Sequence, residues 1–450
     1  MPALPGNANA YRLAFFTLVI YISALTVGSR LFFYLAYVLA AVLVSAFLWS
    51  QVSRRGLAVR RVIQPSTPQV GQVIHESIEI RNLSWLRKLW IEVRDRSTLP
   101  GHQVGAVVSL PGMKAKRWNV RTRCMRRGLY RLGPTLIQTG DPFGLFQTSR
   151  LFDTKGELIV YPATVPLSSF GLPSSDLPGG TRTQRRSYHS TPNAAGIREY
   201  QPGDPTNRIH WPISARTQKL MVKEFELDPT SDIWLVLDLQ ENVHVSADDI
   251  GLPVITAGGA YRGEQRATGR VQASRTATLS ENISVPLEPS TEEYSVAVTA
   301  SLASYFLEQG KSVGLIAWGQ HKVTLPADRG GRQLVKILRA LAVLRAEGTV
   351  GLAEILTAES RHFSRQDTIV VVTPSVEDSW VSALQVQIYK GITSAAVLVE
   401  PATFGGEGNP MLVISALSTM NVPSYLVKRD DAIDAALGQE YGQFAARNLR

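Results

Sequence analysis

The sequence predicts three parts: a two-helix membrane hairpin, a small antiparallel β-sandwich, and a doubly wound α/β domain. Three observations predict them. Two uncharged apolar stretches fill most of residues 13–50, a region of period-two alternation follows, and beyond residue 232 apolar strands alternate with amphipathic helices. Period-two alternation is typical of half-buried strands, whereas alternating β and α segments favour a mostly parallel sheet. With 450 residues, 44 % of them hydrophobic, the chain can build several cores.

Residues 1–52 are predicted to form the membrane hairpin. Its helices span about 13–29 and 31–50, which carry no Asp, Glu, Lys or Arg and are separated only by Arg30. A spanning helix needs about 20 apolar residues, so both stretches are long enough. A signal peptide followed by a core helix fits less well, because no Lys or Arg occurs in the first eleven residues and the second stretch is too long for a signal core.

The arginines around the hairpin predict its orientation. Arg12 precedes the first helix, and four arginines at 54, 55, 60 and 61 follow the second. Basic residues favour the cytoplasmic side, so we expect a two-pass protein of the cell membrane with both termini and the soluble domains in the cytoplasm. The lipid bilayer is then one partner, and these arginines can also bind anionic lipid headgroups.

Residues 57–165 alternate in a way that predicts the antiparallel sandwich. Cys124 lies on an apolar strand face and is interpreted as a packed thiol. As the chain's one cysteine, it excludes an intrachain disulfide and a cysteine-ligated zinc site. The residues expected to point inward are Ile74, Ile78, Ile80, Leu89, Ile91, Val93, Trp118, Val120, Thr122 and Cys124.

Two short sequence motifs lie in the C-terminal half of this region: RRGLYRLGP (126–134) and DPFGLF (141–146). In the second, Asp141 is expected to accept hydrogen bonds from its own turn, with Phe143 and Phe146 anchored in the sheet.

Between Lys114 and Arg131 lie eight basic residues and no acidic one. A solvated strand face is the favoured interpretation, and a surface for lipid headgroups or an acidic partner is the alternative.

Residues 166–231 form a linker and a signature segment, and residues 232–450 form the α/β domain. The part 166–195 is rich in Ser, Pro and Gly and is interpreted as a linker or wrapping loop. Residues 240–291 lack periodicity and are interpreted as an insertion. The α/β domain is predicted from strands at 232–238, 312–318, 368–374, 394–400 and 423–428, and from helices at 293–310 and 331–348.

The signature segment, REYQPGDPTNRIHWPISARTQKLMVKEFE (198–226), is the densest cluster of polar and aromatic residues. Asp204 and Pro205 suggest the start of a short helix that Pro212 ends. Ile209 and Trp211 are then expected to wedge into a domain seam. Three interpretations are open: a joint between domains, which is favoured, a partner-docking surface, or a catalytic use of His210. The candidate residues are Gly203, Asp204, Arg208, His210, Trp211, Ser214 and Arg216.

The hairpin, RRGLYRLGP, DPFGLF and this signature together resemble domain-of-unknown-function family 58. The resemblance runs from the hairpin to the C-terminus, leaving out 240–291. It implies a membrane-anchored protein with a C-terminal domain similar to the von Willebrand factor A fold. It also implies an AAA+ ATPase of MoxR type as a partner, because members typically occur beside such ATPases.

The von Willebrand A fold often binds Mg²⁺ after its first strand through an Asp-x-Ser-x-Ser sequence and further loops. Here Asp238 matches, but Gln240 and Asn242 replace both serines. Thr373-Pro374-Ser375 follows a later strand without an immediate Asp. Hard cations usually need more carboxylate ligands, so no cofactor is expected and Asp238 is kept only as a degenerate metal position.

The predicted function is therefore a non-enzymatic adaptor or scaffold that presents the von Willebrand A-like domain to the ATPase or its client, in protein assembly or maturation. The alternative is a metal-dependent hydrolytic enzyme that uses Asp238, or Asp204 with His210. The sequence contains no Walker A, Gly-x-Ser-x-Gly or His-Glu-x-x-His motif, which disfavours that alternative. Nucleic acid is not an expected partner of this basic chain (net charge +10), because aromatic residues do not interleave with its basic ones.

Overall fold

A computed structural model describes residues 7–172, 194–201, 209–225, 231–246 and 287–440. The chain divides into two compact units. The first holds Met1–Ala163, Ser274–Glu288 and Leu338–Val343, and the second holds the remaining residues. Most of the predicted linker and of the predicted insertion, together with Gly203, Asp204 and Arg208, lies outside the described residues.

The first unit begins with two apolar helices, each long and apolar enough to cross a membrane. They are α1 (Ala8–Val27) and α2 (Arg30–Ser53); α1 begins before its predicted stretch and ends two residues short of it, while α2 extends beyond its stretch at both ends. The antiparallel strands that follow are β1 (Leu57–Gln64), β2 (Val73–Asn82), β3 (Lys88–Asp95), β4 (Ala106–Leu110), β5 (Ala115–Arg123), β6 (Gly128–Leu132), β7 (Thr135–Gly140), β8 (Gln147–Phe152) and β9 (Gly156–Val160).

Two antiparallel sheets supply most of this unit's core. One has the strand order β1-β2-β5 and the other the order β4-β3-β7-β8, while β6 pairs with β9. Inward residues of both sheets, among them Ile80 and Ile91, pack in one buried cluster, as the predicted alternation requires. Cys124 is buried in a second cluster beside β6 and β9, and burial raises the pKa of its thiol to about 11. It is a packed thiol, as predicted.

The inward position predicted for Leu89 is wrong. The pairing of β3 with β4 shifts register between Lys88 and Ile91, and a β-bulge of this kind places an extra residue on one strand. Lys88 is consequently buried, while Leu89 is 46 % exposed. The Lys88 amine donates to the carbonyl of Val52 near the end of α2, at 3.3 Å, and burial lowers its pKa.

A buried ionic cluster lies inside the first unit. The Arg61 guanidinium bridges Glu76 and Asp95, and the His102 ring contacts both carboxylates at 3.0 and 3.5 Å. All four side chains are at most 5 % exposed. Burial lowers the pKa of His102, but hydrogen bonds to Asp95 and Glu76 outweigh it and raise the pKa to about 9. A protonated His102 gives the cluster two cations and two carboxylates.

Beyond residue 193 the described strands are β10 (Ala194–Glu199), β11 (Met221–Phe225), β12 (Ile233–Leu237), β13 (Val313–Trp318), β14 (Lys322–Asp328), β15 (Thr368–Thr373), β16 (Thr393–Val399) and β17 (Ser424–Val427). The α-helices are α3 (Trp211–Thr217), α4 (Thr291–Glu308), α5 (Gly331–Val343), α6 (Leu352–Ala358), α7 (Ser379–Tyr389), α8 (Met411–Thr419) and α9 (Ile433–Gly438). Single 3₁₀ turns lie at Glu241–Val243, Glu359–His362 and Pro401–Phe404.

The second unit contains the predicted α/β sheet. Its six strands have the order β14-β13-β12-β15-β16-β17, and only β14, at one edge, is antiparallel to its neighbour. Every residue of β12 is buried, which fits a strand covered on both faces. Two boundaries differ from the prediction. The helix expected to continue to residue 348 ends at Val343, and residues 240–246 with 287–291 extend the fold rather than belonging to an insertion.

We predict that His102→Gln lowers the melting temperature at neutral pH. The folded pKa of about 9 lies above the ordinary 6.5, so the stabilisation by His102 is fully present below pH 6.5 and is lost as the pH rises through about 9. A shift of this size corresponds to at most about 3 kcal/mol. The measurement compares thermal melting of wild type and variant in detergent across this range. A difference in melting temperature that stays constant with pH would contradict the assignment.

Candidate functional site

The first candidate position is the end of β12 in the α/β sheet. Strand β12 pairs with β13 on one side and with β15 on the other, both in parallel. The chain leaves β12 toward β13 and later returns to β15, so the strand order reverses beside β12. Open α/β sheets bind ligands in the crevice at the carboxyl ends of strands where the order reverses. Asp238 follows β12 directly at this place.

Asp238 is completely buried, and each of its carboxylate oxygens accepts a hydrogen bond. Thr373, the last residue of β15, donates its hydroxyl to Oδ2 at 2.6 Å, and the backbone N–H of Gln240 donates to Oδ1 at 3.1 Å. The Thr373 hydroxyl in turn accepts from the N–H of Ser375 at 2.9 Å. The von Willebrand A resemblance implies one site made from the loops after both strands, and the structure brings Asp238 and Thr373 together there.

Burial raises the pKa of Asp238, and this effect exceeds the opposing hydrogen bond from Thr373 and the charge of His244. The negative charge of Glu377 raises the pKa further. A buried carboxylate that accepts a hydrogen bond from each of two loops acts as the link between them. It ties the residues after β12 to those after β15.

Sequence reasoning missed His244. Its Nε2 lies 3.0 Å from the carbonyl oxygen of Asp238, and its Nδ1 lies 3.2 Å from the hydroxyl of Thr291, the first residue of α4. The Thr291 hydroxyl also accepts from the N–H of Val245 at 2.9 Å. The chain separates His244 from Thr291 by 47 positions, so no local spacing could have signalled this contact.

The residues around Asp238 do not fit the Mg²⁺ that the von Willebrand A resemblance would imply. Mg²⁺ binds through carboxylates and retained water in an octahedron. Asp238 is the one carboxylate in register, and both of its oxygens already accept protein hydrogen bonds. Among the described residues, no group of three or more His, Cys, Asp or Glu side chains could hold a metal ion. That the protein needs no cofactor stays a prediction.

The second candidate position is the signature segment, whose described part is a β-hairpin interrupted by a short helix. Strands β10 and β11 pair antiparallel, and α3 lies between them in the chain. The helix begins at Trp211 and contains Pro212 in its first turn, so the prediction that Pro212 ends a helix is wrong. Proline lacks an N–H and is well tolerated where a helix starts, because the first amides have no intrahelical partner.

His210 and Ser214 hold α3 in place. The His210 ring nitrogen Nδ1 accepts from the N–H of Ile213 at 3.3 Å and caps the helix. Its backbone N–H donates to the carbonyl of Met221 at 2.8 Å. The Ser214 hydroxyl donates to the His210 carbonyl at 3.0 Å and accepts from the N–H of Met221 at 2.8 Å. These contacts give both side chains structural roles.

Trp211 and Arg216 lie on the surface of α3. The Trp211 side chain is 64 % exposed. Ile209, two residues earlier, is buried and forms an isolated antiparallel β-bridge with Val222 of β11. Trp211 is therefore exposed and Ile209 is buried against Val222, while the expected wedge in a domain seam stays a prediction. Helix α3 presents the indole outward because its other contacts, through His210 and Ser214, face β11. Gly203, Asp204 and Arg208 lie outside the described residues, so their predicted roles stay predictions.

Residues 196–249 match a family model described as a protein of unknown function, DUF58. The chain carries a DUF58 segment. This segment runs from β10 past β12 and thus contains His210, Trp211 and Asp238. The family resemblance is thereby confirmed. An uncharacterized Bacillus subtilis protein, YeaD, is 25 % identical over 248 residues, which is 55 % of this chain and 50 % of that protein. The chain thus spans about half the length of this relative.

Solved structures resemble parts of the chain weakly. A CARDB domain from Pyrococcus furiosus is 16 % identical with a TM-score of 0.18, over 23 % of this chain and 91 % of that one. The sporulation control protein Spo0M of Bacillus subtilis is 6 % identical with a TM-score of 0.17, over 23 % of this chain and 49 % of that one. Similarity at this level does not identify a fold or a function.

We expect His210→Ala to loosen α3 in the DUF58 segment, because the Ile213 amide loses its acceptor. A lost cap costs about 1 kcal/mol, so amide exchange at Ile213 should accelerate severalfold. His210→Asn is the matched control, since Asn is a good capping residue and should restore protection. Equal exchange in the Ala and Asn variants would show that the ring does not cap the helix.

Asp238→Asn should be tolerated better than Asp238→Ala. The amide keeps an oxygen for the Gln240 N–H and removes a charge that burial disfavours, whereas alanine leaves the buried Thr373 and Gln240 donors without a partner. Each such loss costs about 1–3 kcal/mol. Thermal melting of the three proteins measures the difference. An Asn variant as unstable as the Ala variant would mean that the negative charge itself is required.

Proposed function

We propose that this protein is a membrane-anchored, non-enzymatic adaptor that presents an α/β domain of von Willebrand A type to a cytoplasmic AAA+ ATPase of MoxR type or to its client. The anchor is the hairpin of α1 and α2. Both helices have the length and apolarity that a bilayer requires. Arg12 near the start of the first helix and Arg54 after the second support a cytoplasmic location for the soluble units.

The α/β unit supports the von Willebrand A-like part of the proposal. It is doubly wound, and its first strand, β12, lies inside the sheet with Asp238 at its carboxyl end. That is the position at which the fold places its ligand site. Here the site is closed by hydrogen bonds from Thr373 and Gln240, which suits a domain that binds through its surface.

The observation that carries the adaptor proposal is the exposure of Trp211 inside the DUF58 segment. The Trp211 side chain is 64 % exposed on α3, within the segment that the family model matches. Tryptophan and arginine are the residues that contribute most often to binding energy at protein interfaces. Arg216, exposed on the same short helix, supplies the second of them. His210 and Ser214 are engaged in holding the helix, so they leave little for catalysis.

A binding experiment with purified proteins tests the proposal. The full chain in detergent is immobilised and titrated with the MoxR-type ATPase of the same cell, with and without ATP. We expect wild type to bind and Trp211→Ala to lose about tenfold or more in affinity, the size of a strong interface contact. Tyr389→Ala is the matched control, because Tyr389 is an aromatic residue of α7 that is 81 % exposed and should not matter.

Two outcomes would count against the proposal. If wild type does not bind the ATPase in either nucleotide state, the adaptor role fails for this partner. If wild type and both variants bind equally, the adaptor role stands but Trp211 is not its docking residue. Melting curves of both variants must match wild type, so that a loss of affinity is not a loss of folding.

A further inference from the structure

The first unit places exposed apolar side chains beside the apolar helices. Two loops carry them: residues 83–86, between β2 and β3, and residues 141–146, between β7 and β8. We call these the rim loops. Trp85 in the first is 85 % exposed and Phe143 in the second is 62 % exposed. The burial of Phe143 that the sequence suggested is thus wrong, because Asp141 turns the loop so that the ring points away from the sheet.

The second rim loop contacts α2, and the first residue of β8 after it contacts the residue that precedes α1. The Phe146 ring packs edge-on against Phe47 of α2, with ring centroids 5.6 Å apart. The N–H of Gln147, next to the loop, donates to the side chain of Asn7 at the start of α1, at 3.1 Å. Phe47 lies six residues before the end of α2, which is about 9 Å along the helix axis. The loop therefore lies level with the last apolar turns of α2.

The first rim loop is joined to the chain just after α2. The N–H of Leu83 donates to the carbonyl of Gly56 at 2.7 Å. Buried Asn82 fixes the loop, since its side chain donates to the carbonyl of Leu86 at 2.9 Å and accepts from the Ser84 hydroxyl at 2.7 Å. Gly112 is needed against this loop, because a Cβ there would stand 2.0 Å from the Trp85 carbonyl oxygen.

Both loops are thus rigidly held while their largest side chains face outward. In the second, the Asp141 carboxylate accepts from the N–H groups of Phe143 and Phe146 at 2.8 and 2.6 Å. Both loops contact the chain near the C-terminal end of α2, so their exposed aromatic residues lie at the same end of the hairpin. Helix α2 has 24 residues and rises about 36 Å, slightly more than the roughly 30 Å of a bilayer's hydrocarbon core. Phe47, and with it the second loop, then falls near the boundary between acyl chains and headgroups.

We propose that the rim loops insert into the membrane interface, with Phe143 and Trp85 among the lipid headgroups and upper acyl chains. This inference rests on the proposed membrane anchor and adds a second membrane contact made by the sandwich itself. Tryptophan is enriched at this depth of membrane proteins, where an apolar ring meets water. Arg87 follows the first rim loop directly, and Arg54 and Arg55 precede Gly56, to which that loop is hydrogen-bonded; these arginines provide positive charge for anionic headgroups.

A depth measurement tests the inference. Single cysteines are introduced at Phe143, at Trp85, at Val44 of α2 and at Leu129 of β6, each an exposed apolar position. The full chain is reconstituted in phosphatidylcholine–phosphatidylglycerol vesicles and labelled with a polarity-sensitive fluorophore. Native Cys124 is spared because it is buried and its thiol has a pKa of about 11. Nitroxide-bearing lipids then report which labels lie in the bilayer.

We expect blue-shifted emission and lipid quenching at Val44, Phe143 and Trp85, with neither at Leu129. If Val44 is quenched but Phe143 and Trp85 behave like Leu129, the hairpin spans the membrane and the rim loops stay in water, which overturns this inference alone. If the label at Val44 is not quenched either, both the membrane anchor and the insertion of the rim loops are overturned. Emission that is blue-shifted at Phe143 but not quenched by lipid would mean that protein covers the loop, which likewise overturns the inference.

Discussion

Strand β12 is hydrogen-bonded to parallel neighbours on both sides, and the second unit depends on this pairing. Because β12 and β15 run in the same direction, Leu237 stands opposite Val372, and the next residues, Asp238 and Thr373, meet at one edge of the sheet. The carboxylate of Asp238 then closes that edge instead of leaving it open to a ligand. A change in the pairing by one residue would separate the two side chains and turn buried residues of β12 to the opposite face. The parallel pairing of β12 and β15 that suggests a ligand crevice thus also brings together Asp238 and Thr373, the two side chains that fill it.

Much of the fold could be predicted because it follows from patterns within single elements. Uncharged stretches of the required length indicated α1 and α2, and the alternation Ile74, Ile78, Ile80 indicated the inner face of β2. The same alternation puts Glu76 on that inner face, which is the one visible sign of the buried ionic cluster. Its partners could not be predicted, because Arg61, Asp95 and His102 come from other parts of the chain and meet only after the sheets have formed.

The errors at the candidate sites have physical causes that act beyond local spacing. Pro212 suggests a helix end because proline breaks helix interiors, yet at a helix start it costs nothing. The alternation predicts Leu89 on the inner face only if the β-ladder is unbroken, and a β-bulge shifts it. His210 caps the helix that the structure describes, although histidine is not among the residue types preferred at that position. In each case a tertiary contact selected one of several conformations that the local sequence allows.

The position of Lys88 has a mechanical consequence. Its amine reaches the carbonyl of Val52 in the last turn of α2, while its backbone belongs to β3, so one side chain joins the end of an apolar helix to the interior of a sheet. Fraying of that helix end would leave a buried amine without its acceptor, which costs more than an ordinary exposed turn. A shift of β3 along α2 would break the same hydrogen bond, so this one side chain couples the position of the sheet to the integrity of the helix end.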